Sequence, residues 1–146
     1  MDSEKDSRLT VISIHQVASR RNEVGIIDTV LSSARGPVNS QMLVGLEIIP
    51  PKGQGGFPMH YHRCEEALFI LSGSGIVKDS LGKEYSISEG SFIYCPPGPG
   101  GAHQFINNGD APMRLLYAFP SSKLEDIEKF YVGNASCLPE FHRIER

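Results

Sequence analysis

Residues 60–66 read HYHRCEE. Two imidazoles stand one residue apart, and a carboxylate follows four residues after the second. Imidazole nitrogens and carboxylate oxygens are the donors that divalent transition ions take. The chain holds five histidines, so a His-x-His pair also arises by coincidence on a solvated strand, and at this point both readings stand. If His60, His62 and Glu66 serve one ion, the chain cannot run straight through them. Six residues of strand cover about 20 Å, whereas each donor sits about 2 Å from the metal. A reversal near Arg63–Glu65 is therefore required, with Glu66 opening the next strand. This makes half a site, open on one side. Cys64 lies in the reversal. With no visible charge partner to lower its pKa, it reads as a structural thiol and not as a nucleophile.

The elements that would carry these residues are short strands. Candidates are 9–14, 25–31, 41–49, 57–62, 66–71, 75–78, 84–87, 91–94, 103–106 and 113–119. Between them lie PPKGQGG, LSGSG, DSLGK, SEG, CPPGPGG and NNGDAP. Each is turn chemistry: glycine supplies positive φ, proline fixes φ, and Asn and Asp bond back to the local backbone. Such spacing predicts an antiparallel sandwich or barrel. Period-two patterning puts Met42, Val44, Leu46 and Ile48 on one face of their strand. The other face, Leu43, Gly45, Glu47 and Ile49, is only partly apolar. In Glu66–Leu71 both faces are apolar, which predicts cover on both, the second from a terminal segment or a second subunit. Near the end, Ser122 and Glu125 form a capping-box pattern. Leu124, Ile127 and Tyr131 then share one helical face, which predicts a short C-terminal helix acting as a lid.

The totals narrow the classes. A chain of 146 residues with 40% hydrophobic content predicts one folded domain spanning 1–146. A net charge of −3 gives no pull toward nucleic acid, and the Arg20–Arg21 pair reads as a solvated turn. No apolar run reaches the roughly 20 residues of a membrane helix. The polar N-terminus MDSEKDSRLT and the odd count of three cysteines set the expectation of a cytoplasmic protein with free thiols. Cys95 and Cys137 read as core or surface residues, and His15 and His142 as unrelated to a site.

Downstream, GSFIYCPPGPGGAHQFINNG places His103 at a strand start, with Asn107 four residues on. The two segments together resemble the paired signature motifs of the cupin superfamily, in its small single-domain (cupin_2) form. His60, His62, Glu66 and Gly73 carry the first motif at family spacing. Gly90, Pro96, Gly98, His103 and Asn107 carry the second. The leading glycine of the first motif falls on Gln54, and the loop between Gly98 and His103 is two residues longer than the pattern. The resemblance implies an all-β fold, a cupin double-stranded β-helix (jelly-roll barrel). It also implies one divalent transition metal (Fe, Mn, Ni or Zn) held by His60, His62, Glu66 and His103. Met59, Phe92, Tyr94, Phe105 and Gln104 are candidates to line a pocket around it, as are Phe57 and Asn107, although Asn107 beside NNGD also suits a turn.

Three neutral imidazoles, one carboxylate and a divalent ion leave a formal charge of +1. With two positions left to water, such a site suits a bidentate, singly anionic ligand such as a hydroxy acid, an enolate or a β-diketone. The carboxylate sets the pattern apart from the three-histidine thiol dioxygenases. The expected function is a metal-dependent enzyme acting on a small oxygenated metabolite, either a dioxygenase or a Lewis-acid isomerase or polyketide-cyclase-like enzyme. A metal-containing binding module without turnover is the alternative. The expected partners are a small molecule and a second copy of the chain, with neither nucleic acid nor membrane; a homodimer would cover open sheet edges.

Overall fold

The structure, a computed structural model, describes residues 8–133; Cys137 and His142 lie outside them. Twelve strands are present among the described residues. They are β1 (Arg20–Arg21), β2 (Ile27–Ser33), β3 (Val38–Asn39), β4 (Leu43–Ile49), β5 (His60–Tyr61), β6 (Glu66–Ser72), β7 (Ser74–Lys78), β8 (Glu84–Ser88), β9 (Phe92–Cys95), β10 (Gln104–Ile106), β11 (Met113–Phe119) and β12 (Phe130–Tyr131). The larger sheet has the order β1-β2-β4-β11-β6-β9, with β3 added beside β2. A second sheet, β10-β7-β8, faces it, and β12-β5 forms a two-stranded clasp at one end. Apart from the parallel β2–β3 contact, every pairing is antiparallel. The all-β jelly roll expected from the sequence is the observed fold.

Sheet closure follows from which face of each strand is apolar and covered. Ile49, Leu68, Ile70, Met113 and Leu115 from the large sheet meet Val77 and Ile87 from the small one in a single buried cluster. Gly73 makes the corner where the chain leaves β6 for β7. It has φ 85°, and a Cβ there would lie 2.6 Å from the Pro112 carbonyl oxygen, so the corner requires glycine. Asn107 is fully buried and ties the neighbouring turn between β10 and β11. Its Nδ2 donates to the carbonyls of Ile49 (3.0 Å) and Ala111 (2.9 Å), and its Oδ1 accepts from Gly109 N–H (3.1 Å). It serves the turn and not the pocket.

Three expectations are corrected. Residues 9–13 form no strand, and Ile14–Gln16 is a single 3-10 turn with no buried residue. With nothing to pair against, an apolar alternation there does not suffice. The C-terminal helix, α1, covers only Leu124–Ile127, with Lys123 and not Ser122 at its N-cap. The Ser122 hydroxyl instead accepts from Ala34 N–H (3.0 Å). Tyr131 is not on the helix at all but pairs with His60 across the β12–β5 clasp. No helix among the described residues is long and apolar enough to cross a membrane.

Candidate metal centre

The chain reverses between β5 and β6, as the short reach of the side chains demands. β5 presents His60, His62 follows it, and Glu66 is the first residue of β6. The second half comes from beyond the Pro-Gly loop. There the two additional residues are accommodated in a 3-10 turn at Pro99–Gly101. His103 then bonds back to His60 through both backbone groups, at 3.2 and 3.0 Å. The longer loop therefore leaves His103 in register.

All four side chains are buried, at 4–6% exposure. His60 Nδ1 lies 2.7 Å from the Pro58 carbonyl, His62 Nδ1 2.7 Å from that of Ile127, and His103 Nδ1 2.9 Å from that of Gly101. A carbonyl only accepts, so each Nδ1 carries a proton, and in the neutral ring each Nε2 is a lone-pair donor. Outer-nitrogen bonds of this kind are what fix metal-ligating imidazoles. Ligand atoms of His60, His62 and His103 lie within 4.8 Å of one another. Glu66 Oε1 completes the group, 3.5 Å from His62 Nε2 and 3.3 Å from His103 Nε2. It is buried with no hydrogen-bond partner. A buried carboxylate oxygen facing imidazole nitrogens is costly unless a cation, either a proton on His103 or a bound ion, satisfies them together. The donor set thus fits a divalent transition ion.

The electrostatics separate the three imidazoles: two favour the neutral ring, and His103 exchanges a proton for an ion. Burial, reinforced by the neighbouring His103 and His62, holds His60 well below 6.5. His62 is also lowered by burial, against the pull of Glu66. His103 is pushed up to about 10: burial opposes its charge, but Cys95 and the Glu66 carboxylate together outweigh it. Cys95 shares a second buried ligand group with Glu66 and His103. Cys64, raised to about 11 by burial and then by Asp126 and Glu66, is a thiol at neutral pH, as its position in the turn suggested.

The four residues open onto a cavity of about 380 Å³ running into the barrel. Of the expected pocket residues, Phe105 lines it, edge-on to His103 at 5.9 Å, and Phe57 lines it beside His60 at 5.7 Å. Phe92 and Tyr94 do not: they are 64% and 54% exposed on the outer face of β9. Alternation along a strand gives two faces without saying which is inner, and here Ile93 and Cys95 take the inner one. Met59 is half-buried and absent from the cavity wall, and Gln104 lines a separate shallow groove. The wall instead holds Asp28, Glu47, Tyr117 and Lys129, with Arg20 and Arg21 among its lining. None of these was singled out as a site residue from sequence. One sign was available: Glu47 interrupts an otherwise apolar strand.

The family model for the Cupin domain (Cupin_2) matches residues 45–119, just over half of the chain. The chain belongs to the cupin family. No curated protein sequence matches this cupin. Solved structures do match its fold. The polyketide cyclase RemF from Streptomyces resistomycificus has a TM-score of 0.73 at 16% identity, covering 88% of this chain and 89% of that one. A sugar phosphate isomerase of the cupin superfamily from Silicibacter pomeroyi has 0.65 at 23%, covering 75% and 74%. The DMSP lyase DddQ from Ruegeria pomeroyi has 0.64 at 19%, covering 81% and 62%. At these identities the likeness is one of fold.

Proposed function

We propose that this cupin is a mononuclear divalent-metal enzyme acting on a small oxygenated metabolite that chelates the ion, by chemistry of the isomerase or polyketide-cyclase kind. The observation that carries the reading is the ligand set. Three imidazoles have their outer nitrogens bonded to backbone carbonyls and their ligand atoms within 4.8 Å of one another, and the inner nitrogens of His62 and His103 face Oε1 of Glu66 at 3.5 and 3.3 Å. An ion bound there supplies Lewis acidity to a carbonyl or hydroxyl oxygen. The chain supplies a cavity of about 380 Å³, at the small end of ligand pockets. It also supplies aromatic walls at Phe57, Phe105 and Phe119 that exclude water. The likeness to cyclase, isomerase and lyase cupins supports an enzyme over a binding module, as do the titratable groups on the wall.

Free thiols at Cys64 and Cys95 favour a reducing compartment such as the cytoplasm. The exposed outer face of β6 and β9 favours a homodimer.

The test is elemental analysis of the purified full chain, followed by chelator stripping and separate reloading with zinc, manganese, nickel and anaerobic iron. One equivalent of a transition ion per chain is expected. His60→Ala, His62→Ala, His103→Ala and Glu66→Ala should each lose it. A chain that stays empty with every ion offered refutes the reading. Oxygen consumption by the iron form with a chelating diketone would move it to a dioxygenase.

A further inference from the structure

The inner face of β4 is the partly polar one. Leu43, Gly45, Glu47 and Ile49 point inward, while Val44, Leu46 and Ile48 take the outer side. Hydrophobic burial alone favours the opposite register, so a specific demand keeps Glu47 inside. Its direct cross-strand partner is Asp28 on β2. Two carboxylates opposite each other on one face destabilise a sheet, and here both line the cavity that holds the ligand set. Asp28 is fixed by Tyr117, whose hydroxyl donates to Oδ1 at 2.8 Å. Tyr117 in turn fits only because its cross-strand neighbour is Gly45. A Cβ there would run into the phenol oxygen and the Thr29 carbonyl. Four positions on three strands are thus arranged around one feature, a pair of inward carboxyl groups, one of them held by a phenol. The buried apolar cluster takes in the Tyr117 ring but neither Asp28 nor Glu47.

We infer that Glu47, set beside the Tyr117-anchored Asp28, exchanges a proton with the carbon skeleton of the bound molecule. The reaction is then a proton relocation on an enolisable hydroxyketone or diketone. This rests on the metal-centre reading and narrows it to a chemistry that needs no oxidant. The C–H bond next to the carbonyl breaks, its electron pair forms a C=C bond to the carbonyl carbon, the C=O π pair moves onto oxygen to give the enolate, and the proton passes to the Glu47 carboxylate. The reverse step returns a proton from the carboxyl to the same carbon, or to the former carbonyl carbon of a hydroxyketone once its hydroxyl proton has passed to the neighbouring oxygen. No electron leaves the substrate. Asp28 and Tyr117 are positioning residues: burial raises Asp28, the Tyr117 hydroxyl opposes that shift, and Asp28 in turn favours the protonated form of Glu47. The other charged groups acting on the pair are Lys129 beyond α1, Arg20 on β1, Glu66 on β6 and His103 ahead of β10. Glu47 is raised to about 8, by burial first and then by Asp28 and Glu66. That value suits an acid–base group working near pH 7.

The test uses the full chain in two measurements. In the first, protein labelled with 13C at the glutamate carboxyls is titrated by NMR, metal-free and zinc-loaded, with Glu47→Gln identifying the resonance. Glu47 should titrate well above the exposed glutamates, and Asp28→Asn should bring it down. In the second, zinc-loaded protein is mixed with hydroxyacetone in D2O, and deuterium wash-in at the methylene is followed. Wild-type protein should accelerate wash-in. Glu47→Gln should slow it by about 100-fold or more, with zinc content unchanged. Tyr117→Phe should shift its pH profile. Zinc-loaded wild-type protein without wash-in overturns the inference and leaves the metal centre standing, as do Glu47→Gln and Asp28→Asn proteins that match the wild-type rate. So does a Glu47 that titrates with the exposed glutamates. A chain that takes up no metal overturns the proposed function, and this inference with it.

Discussion

At the scale of single residues, the site is governed by where protons sit. An ion binding to the three imidazoles competes with the proton that His103 keeps up to about pH 10. His60 and His62, lowered below 6.5, compete only in acid. Metal affinity should therefore rise with pH across the neutral range, with proton release on binding. Calorimetric zinc titrations in buffers of different ionisation enthalpy measure both. Glu47 leaves a different signature. Its folded pKa of about 8 lies above its ordinary value of 4.5. The stability linked to its proton is fully present below pH 4.5 and is lost as pH rises through about 8. Glu47→Gln should remove that loss. Its Tm should approach wild type at pH 5 and exceed it by about 3–5 °C at pH 9, for roughly 1 kcal/mol.

At the scale of elements, the two corners that glycine and asparagine make are more demanding than any one strand. Gly73→Ala would put a Cβ against the Pro112 carbonyl at a positive φ. It should cost at least about 1 kcal/mol, seen as a lower denaturation midpoint. The strands with strong alternation and turn residues at both ends were legible in the sequence: β11 has the expected bounds, and β4, β6, β7 and β8 fall within two residues of theirs. The two-residue strands β1, β3 and β12 were not, because their pairing comes from tertiary neighbours and not from local pattern. The helix was overread for a related reason: Tyr131 has helical spacing but bonds better to β5. In the site, the four proposed ligands were legible because two local motifs carry them. The Asp28–Glu47–Tyr117 group was not. Its members are 19 and 70 residues apart, and only strand register brings them together.

At the scale of the whole molecule, the outer face of β6 and β9 is the unfinished part. Phe69 and Phe92 are cross-strand partners, and both are exposed, with Leu71 and Tyr94 beside them. Among the described residues β9 also ends the large sheet and leaves an unpaired edge. A contiguous apolar patch at a sheet edge marks an association surface. The chain should sediment at twice its 16.0 kDa mass. Phe92→Lys should halve that value without changing metal content, since its side chain points away from the cavity. A wild-type chain that stays at 16.0 kDa at micromolar concentration would show the patch to be free.

The bond from His62 to the carbonyl of Ile127 joins the C-terminal segment to the ligand set. One imidazole is thus gripped from outside by the latch of the barrel. Loosening the latch, by changes at Ile127 or Phe130, neither of them a ligand, should make the cation leak faster, while the strands beneath stay folded.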